Sequence, residues 1–328
     1  MPARVSVLMP MFNAERYVRS AVASVLDQTF RDLELVVVDD GSFDRSAELV
    51  RAVPDPRVRL LQNSDRLGVP LARNRALAEA RGVYVAFMDS DDVSRPDRIA
   101  RQVAFLEERP DVGLVGSWAE LIDEGGRVFG SMEMPCDPET IRRMLLRSNC
   151  FVNSAVTARR SCLERVGGFR PHPHLAEDYD LYLRASEHFP LANLAAVLLS
   201  YRVHPAQLTS SRIPTVRRCA DAARTDAIRR RLALGWAVHP DDYPVMSIAG
   251  RLAARERTVG GDMLAHARLY LRAGDCKTAR RLALRAIGHS PLCAAAYRLL
   301  VRASGIVPIV TGCHRYVRRI AGRIGAGR

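Results

Sequence analysis

Asp89, Asp91 and Asp92 crowd three carboxylates into four residues, directly after the apolar run Tyr84-Val85-Ala86-Phe87-Met88. Carboxylates this close repel one another and are costly to bury without a counter-charge. A divalent cation, Mg2+ or Mn2+, is the natural counter-charge, because it takes oxygen ligands and bridges to phosphate oxygens. The competing reading is a solvated acidic turn that caps the next helix. Two further carboxylate pairs stand out: Asp39-Asp40, after Leu33-Glu34-Leu35-Val36-Val37-Val38, and Glu177-Asp178, at the head of Tyr179-Asp180-Leu181-Tyr182-Leu183-Arg184. Acidic residues are favoured in the first turn of a helix by its dipole, so the second pair has a purely structural explanation as well. His204 closes the segment Tyr201-Arg202-Val203-His204. A lone histidine there suits packing as well as it suits a ligand role.

These residues need elements to hold them. Tyr84 to Met88 does not alternate in polarity, so it reads as a strand buried on both faces. Val5 to Pro10 is a first strand, stopped at Pro10, and Met11-Phe12-Asn13 is a turn. Glu15 to Gln28 has helical spacing at Val18, Ala21, Val22 and Val25. Strands over 33–38 and 58–61 follow, with helices before and after the latter, the second of them, 69–80, carrying Arg73. Repeated strand–helix–strand units with short loops predict a doubly wound, mostly parallel α/β sheet. Ligands bind such sheets beyond the carboxyl ends of the strands. Asn13, Asp39, Asp40, Asp89, Ser90 and Asp91 all fall at that edge. Further on, the pattern predicts helices over 97–108, 138–146 and 161–166 and strands over 112–117, 153–158 and 197–201. It also predicts a hairpin around Asp123-Glu124-Gly125-Gly126 and a helix from Ala176.

Composition sets bounds. A chain of 328 residues is long enough for two domains. The formal charge of +13 is unevenly placed: residues 214–328 hold 22 Arg/Lys against 7 Asp/Glu. A near-neutral domain over 1–213 therefore precedes a basic one over 214–328, whose spacing is helical throughout. Seven scattered cysteines without a metal spacing suit a reducing, cytoplasmic setting. No membrane span or signal peptide is expected. The first strand is not followed by GxGxxG, and GxxxxGK[ST] is absent, which disfavours a dinucleotide dehydrogenase or a P-loop enzyme. Met11-Phe12-Asn13-Ala14 is not the glycine-rich basic loop that a sugar nucleotidyltransferase needs.

The ordered series Val-Ser-Val-Leu-Met-Pro-Met-Phe-Asn, Val-Val-Asp-Asp-Gly-Ser, Ala-Arg-Asn, Asp-Ser-Asp-Asp, Gly-Gly-Phe, Glu-Asp-Tyr-Asp and Tyr-Arg-Val-His resembles inverting family 2 glycosyltransferases of the GT-A fold, over about residues 4–211. The resemblance implies a GT-A sheet and a nucleotide-diphospho-sugar donor, usually UDP-linked. It places Pro10, Phe12 and Asn13 at the nucleotide, Asp40 at the base with Asp39 beside it, and Arg73 toward the diphosphate. Asp89 and Asp91, flanking Ser90, correspond to the family's DXD pair, with Asp91 the direct metal ligand and His204 near the metal or diphosphate. Asp178 corresponds to the general base, with Glu177 holding it or the acceptor. The chemistry agrees. A diphosphate leaves only once its charge is neutralised, and the acceptor hydroxyl must lose a proton on the opposite face. The acceptor would be a glycan, a lipid-linked molecule or another cell-surface hydroxyl. The rival from another class is an inactive sugar-nucleotide-binding or assembly protein on a basic helical scaffold.

In the basic region, Leu264 to Pro291 resembles a single tetratricopeptide-like helix pair, which generic helix packing explains nearly as well. The arginines at 315, 318, 319, 323 and 328, interleaved with Tyr316, Val317, Ile320 and Ile324, suit either an anionic membrane surface or a solvated end. Aromatic residues are sparse there, so nucleic acid is not expected as a partner.

Overall fold

The computed structural model describes residues 3–171, 175–207, 212–237, 262–289 and 294–304. The chain forms two compact units, residues 1–252 and 253–328.

The first unit is built on a nine-stranded sheet. β1 (Val5–Met11) lies between β2 (Leu33–Asp39) and β4 (Tyr84–Phe87), parallel to both, and β3 (Val58–Gln62) extends the parallel half beyond β2. Past β4 the sheet is mixed. β8 (Thr157–Arg159) runs antiparallel to β4 and to β6 (Leu114–Ile122), while β9 (Leu191–Arg202) runs parallel to β6. β7 (Val128–Met132) folds back on β6, and β5 (Val93–Ser94) pairs antiparallel with the outer edge of β9. The doubly wound parallel half is as expected; the antiparallel half needed β5 and β9, whose pairing spans a separation that periodicity does not sense.

Every residue of β1 and β2 is buried because helices cover both faces. Val5, Val7, Met9 and Met11 pack with α1 (Val18–Leu26), α2 (Ser46–Arg51) and α4 (Arg98–Glu108). Leu8, Val36 and Val38 face the layer of α3 (Val69–Glu79), α5 (Pro138–Met144), α6 (Arg160–Val166) and α7 (Glu177–Ala185). Asp137 caps α5 by accepting the Thr140 backbone N–H at 2.9 Å.

Two local expectations are corrected. Pro10 does not stop β1, which continues to Met11 with Pro10 opposite Val38. The ladder to β4 ends with the Met88 N–H donating to the Leu8 carbonyl, so the missing Pro10 N–H lies on a side where no ladder bond is needed. Residues 153–158 are not one strand: Asn153–Ala155 is a 3-10 turn, and β8 begins only at Thr157.

The expected change of domain at 213/214 coincides with the start of α8 (Ile213–Ala233), which lies within the first unit. Ala223, Ala227 and Ile228 enter the core shared with α7, and Arg230 pairs with Glu187 at 2.9 Å. The charge step at 213/214 therefore precedes the structural division at 252/253: α8 buries Ile213, Ala223, Ala227, Ile228 and Arg231 and leaves its other arginines half-buried or exposed. The second unit contains helical residues 262–272 (α9), α10 (Cys276–His289) and α11 (Ala294–Ala303). Met263, Ala267, Tyr270, Ala279, Leu282, Ala283 and Leu299 are buried. The helix expected over 243–257 and the basic tail over 314–328 lie outside the described residues. Among the described residues no helix is long and apolar enough to cross a membrane. The five cysteines described are all free.

Candidate active site

The acidic turn leaves β4 at the carboxyl edge of the sheet. Asp89 donates its backbone N–H to Ser154 Oγ (3.1 Å), and Ser90 and Asp91 are half-buried beside it. Because β5 pairs with β9, the end of β9 folds onto this turn. The Arg202 N–H donates to Asp92 Oδ1 (2.8 Å), and Arg202 Nε donates to the Asp91 carbonyl (2.8 Å). His204 Nε2 then meets Asp91 Oδ2 at 2.8 Å. The Tyr17 ring packs on His204, with centroids 5.0 Å apart, and the Arg202 guanidinium lies over the same ring. Asp92 is buried, and Arg98 lies beneath the turn with its guanidinium on the Phe87 and Ser154 carbonyls. Burial and the neighbouring Asp91 and Asp89 hold the Asp92 carboxyl well above the usual range, while burial lowers Arg98 to about 10.

Arg73 projects from α3 into the gap between this turn and α7. Its Nη2 donates to Asp89 Oδ1 at 2.7 Å and its Nη1 to Glu177 Oε1 at 2.6 Å. The two carboxylates of the Glu177-Asp178 pair differ sharply. Glu177 is buried and ion-paired, whereas Asp178 is half-buried and, among the described residues, has no ion pair. Asp178 accepts from the Tyr179 backbone N–H (2.7 Å) and from Asn149 Nδ2 (3.3 Å). Burial pushes Glu177 up to about 7, with Arg73 opposing and Asp178 and Asp89 reinforcing the shift. Burial also raises Asp178, again opposed by Arg73.

The carboxyl edge of β1 and β2 is more committed than its residue types suggest. Asp40 accepts from Asn63 Nδ2 (2.7 Å), the Leu67 N–H (2.9 Å) and the Gly68 N–H (2.8 Å), which ties down the loop before α3. Asp39 accepts from the Ser42 N–H (3.1 Å) and Gln62 Nε2 (3.1 Å). Asp40, with three hydrogen bonds accepted, keeps one acceptor position, and Asp39 keeps more. Phe12 is half-buried at the mouth, with the exposed Phe43 edge-on and the Arg66 guanidinium 3.8 Å above its ring. Asn13 takes a positive φ of 49° and accepts the Phe43 N–H through its side chain, while its own N–H donates to Ser42 Oγ. Pro10 is buried behind them.

The fold thus gathers Asp89, Ser90, Asp91, Arg73, Glu177 and His204 around one turn. Asp178 borders the cluster, and Pro10, Phe12, Asn13, Asp39 and Asp40 line the carboxyl edge of β1 and β2. Sequence reasoning overlooked Asn149, Asn153 and Asn74. Asn153 donates to Asp89 and accepts from Tyr182 Oη at 3.0 Å, but single asparagines in irregular chain carry no motif. Asn74 holds both backbone polar groups of Phe169, at 2.6 and 2.9 Å. Its only signal was its place in Ala-Arg-Asn.

The donor set can be tested against a divalent ion. Among the described residues no group of three or more His, Cys, Asp or Glu side chains is arranged to hold a metal. Asp91 and His204, 2.8 Å apart at one half-buried point, are a two-ligand set. That fits Mg2+ or Mn2+, which commonly take one or two protein ligands and fill the rest of the shell with phosphate oxygens and water.

Comparison with known proteins bears on the family and the fold. The family model for glycosyl transferase family 2 matches residues 6–167. An uncharacterized glycosyltransferase of Haemophilus influenzae is 30% identical over 217 residues, 63% of this chain and 67% of its own length. WfgD of Escherichia coli, a UDP-Glc:alpha-D-GlcNAc-diphosphoundecaprenol beta-1,3-glucosyltransferase, is 28% identical over 250 residues, 73% of this chain and 96% of its own. Among solved structures, the mannosyltransferase PcManGT of Pyrobaculum calidifontis, in complex with GDP-Man and Mn2+, superposes with a TM-score of 0.58 at 21% identity, covering 93% of this chain and 86% of that one. The chain belongs to glycosyltransferase family 2 and has the GT-A fold.

Proposed function

We propose that this protein is a metal-dependent, inverting transferase that moves a sugar from a UDP-linked donor to a hydroxyl of a glycan or lipid-linked acceptor. The observation that carries the reading is the inequality of Glu177 and Asp178. Arg73 holds Glu177 in place, while Asp178 is half-buried, has no ion pair among the described residues, and accepts only from the Tyr179 N–H and Asn149 Nδ2. A carboxylate so placed suits proton abstraction from an acceptor that approaches from solvent. In the step inferred, the acceptor oxygen attacks the anomeric carbon as the bond to the diphosphate oxygen breaks, and Asp178 takes the hydroxyl proton. One displacement inverts the anomeric centre.

Asp91 and His204 are the residues that would hold the ion. When bound, a divalent ion neutralises the charge of the departing diphosphate. Phe12, with Asp39 and Asp40 behind it, offers an aromatic face and carboxylates to a base. The UDP preference and the lipid-linked acceptor draw support from WfgD, whose name states both. A lipid-linked acceptor would bring the enzyme to the cytoplasmic face of a membrane, where the basic C-terminal region suits anionic lipid.

The test is Asp178→Asn, assayed with UDP-sugars and Mn2+. Turnover should fall by about 10²–10⁴-fold, the usual contribution of a positioned general base. UDP affinity should stay near wild type, and Glu177→Gln should lose less. Near-normal turnover in Asp178→Asn with a dead Glu177→Gln would move the base to Glu177.

A further inference from the structure

Among the described residues, Arg73 is the side chain that ion-pairs with both halves of this site. Its guanidinium bridges Asp89, on the turn after β4, and Glu177, in the first turn of α7, residues 104 positions from Arg73 in the chain at the far end of the bridge. The side chain is only 6% exposed. Both terminal nitrogens are spent on carboxylates, Nε is buried without a partner among the described residues, and the guanidinium carbon lies over the Phe169 ring, 5.4 Å from its centroid. Phe169 is itself pinned by Asn74, one residue after Arg73 on the same helix. The guanidinium is therefore held from below by an aromatic ring and from both ends by carboxylates. It is also the single described cation in contact with Glu177 or Asp89.

We propose that Arg73 is a positioning residue that couples the donor side of the site to the acceptor side, in place of the diphosphate contact that the family resemblance implies. Without it, Asp89, Glu177 and Asp178 would face one another as three uncompensated carboxylates, and α7 would lose the contact that sets where its first turn stands. Asp178 is covalently next to Glu177, so the aim of the base follows from the Arg73–Glu177 ion pair. The inference rests on the transferase reading given above.

Lysine keeps the charge but cannot reproduce a planar fork that meets two diverging carboxylates. In Arg73→Lys, kcat should fall by about 10²-fold, the scale of a misplacement of about 1 Å at a reacting group. The donor KM and the UDP dissociation constant in Mn2+, measured by calorimetry, should stay within about threefold of wild type, since a loss confined to kcat marks an interaction realised in the reacting complex. Adding Glu177→Gln to Arg73→Lys should cost little more than the worse single change, because both act through one contact. If Arg73→Lys fails to fold, Glu177→Gln alone serves, with the same kcat-confined loss expected. Loss of UDP affinity by tenfold or more with UMP affinity unchanged would make Arg73 a diphosphate contact and overturn the proposal, at about the 1.4 kcal/mol that a tenfold change represents. Unchanged kcat in a folded variant would overturn it too, and would leave the transferase reading intact. A wild-type enzyme that turns over no donor would instead sink that reading, and this inference with it.

Discussion

His204 Nε2 sits 2.8 Å from Asp91 Oδ2, a contact that joins residues 113 positions apart. The contact exists because β5, directly after the acidic turn, pairs with Leu199 and Ser200 of β9. That pairing carries the end of β9 across the turn. Arg202 then locks it, donating to the Asp91 and Asp123 carbonyls from one side chain. The two potential metal ligands are thus set by strand pairing rather than by local sequence.

Asp91→Asn should weaken Mn2+-dependent UDP binding by about tenfold or more, the scale on which changes around a metal site act. Asp92→Asn should change it far less. Asp92 is buried, and its Oδ1 accepts the Arg202 N–H, a role the amide oxygen of asparagine keeps. Calorimetry with and without Mn2+ checks both, and equal losses would shift the metal to a different carboxylate pair.

The pH profile has a defined sign. Burial raises Glu177 to about 7 and pushes Asp178 above its ordinary value. Adjacent carboxylates titrate as a pair, so kcat/KM should rise with pH along an acid limb above the usual carboxylate range. Glu177→Gln leaves Arg73 free to favour ionised Asp178 and should move the limb to lower pH. Stability follows the opposite course. A carboxyl whose folded pKa is raised contributes fully below its unfolded pKa, here 4.5, and loses that contribution as pH rises through about 7. Melting temperature should therefore decline between pH 5 and pH 8 in the wild type, and the decline should be shallower in Glu177→Gln.

Gly167 and Gly168 separate backbone strain from crowding. Both have positive φ, 74° and 66°, so alanine at either should destabilise by about 1–2 kcal/mol. A Cβ at Gly167 meets nothing within 4 Å, whereas one at Gly168 would lie 2.8 Å from Asn74 Oδ1. Gly168→Ala should therefore disturb the Asn74–Phe169 clasp beneath Arg73 and lower kcat as well as the melting temperature. Gly167→Ala should lower the melting temperature alone. Thermal melts and turnover on the two variants decide it.

Tyr17 gives a prediction of the other sign. Its hydroxyl is buried with no partner among the described residues, while its ring packs on His204. Tyr17→Phe keeps the ring and removes an unsatisfied polar group, so stability should be unchanged or higher by up to about 1 kcal/mol. A loss of UDP affinity in this variant would show instead that the hydroxyl serves the ligand.

Much of this site was legible in the residues. The apolar runs ending in Asp39-Asp40 and Asp89-Ser90-Asp91 marked the carboxyl edge of a parallel sheet, because short apolar runs between turn residues suit strands buried on both faces, whose polar ends lie at an edge. The Glu177-Asp178 pair announced itself at a helix start. Less visible were the irregular pieces. Asn149 reaches Asp178 from chain with no assigned element, and Asn153 reaches Asp89 from a stretch whose pattern predicted a strand.

Sequence alone determined the class of the fold, the family, and the set of carboxylates available, because hydrophobic period and residue type are local properties. Tertiary structure decided how those carboxylates differ. Glu177 and Asp178 are neighbours of similar chemistry, and only the arrival of Arg73 from α3 leaves one ion-paired and the other half-buried beside it. Asp91 and Asp92 are likewise adjacent, and only the end of β9 gives one a histidine and the other a backbone N–H. In each case the distinction comes from a partner far along the chain. It is set by burial and by which groups the fold brings within hydrogen-bonding reach, neither of which a local pattern encodes.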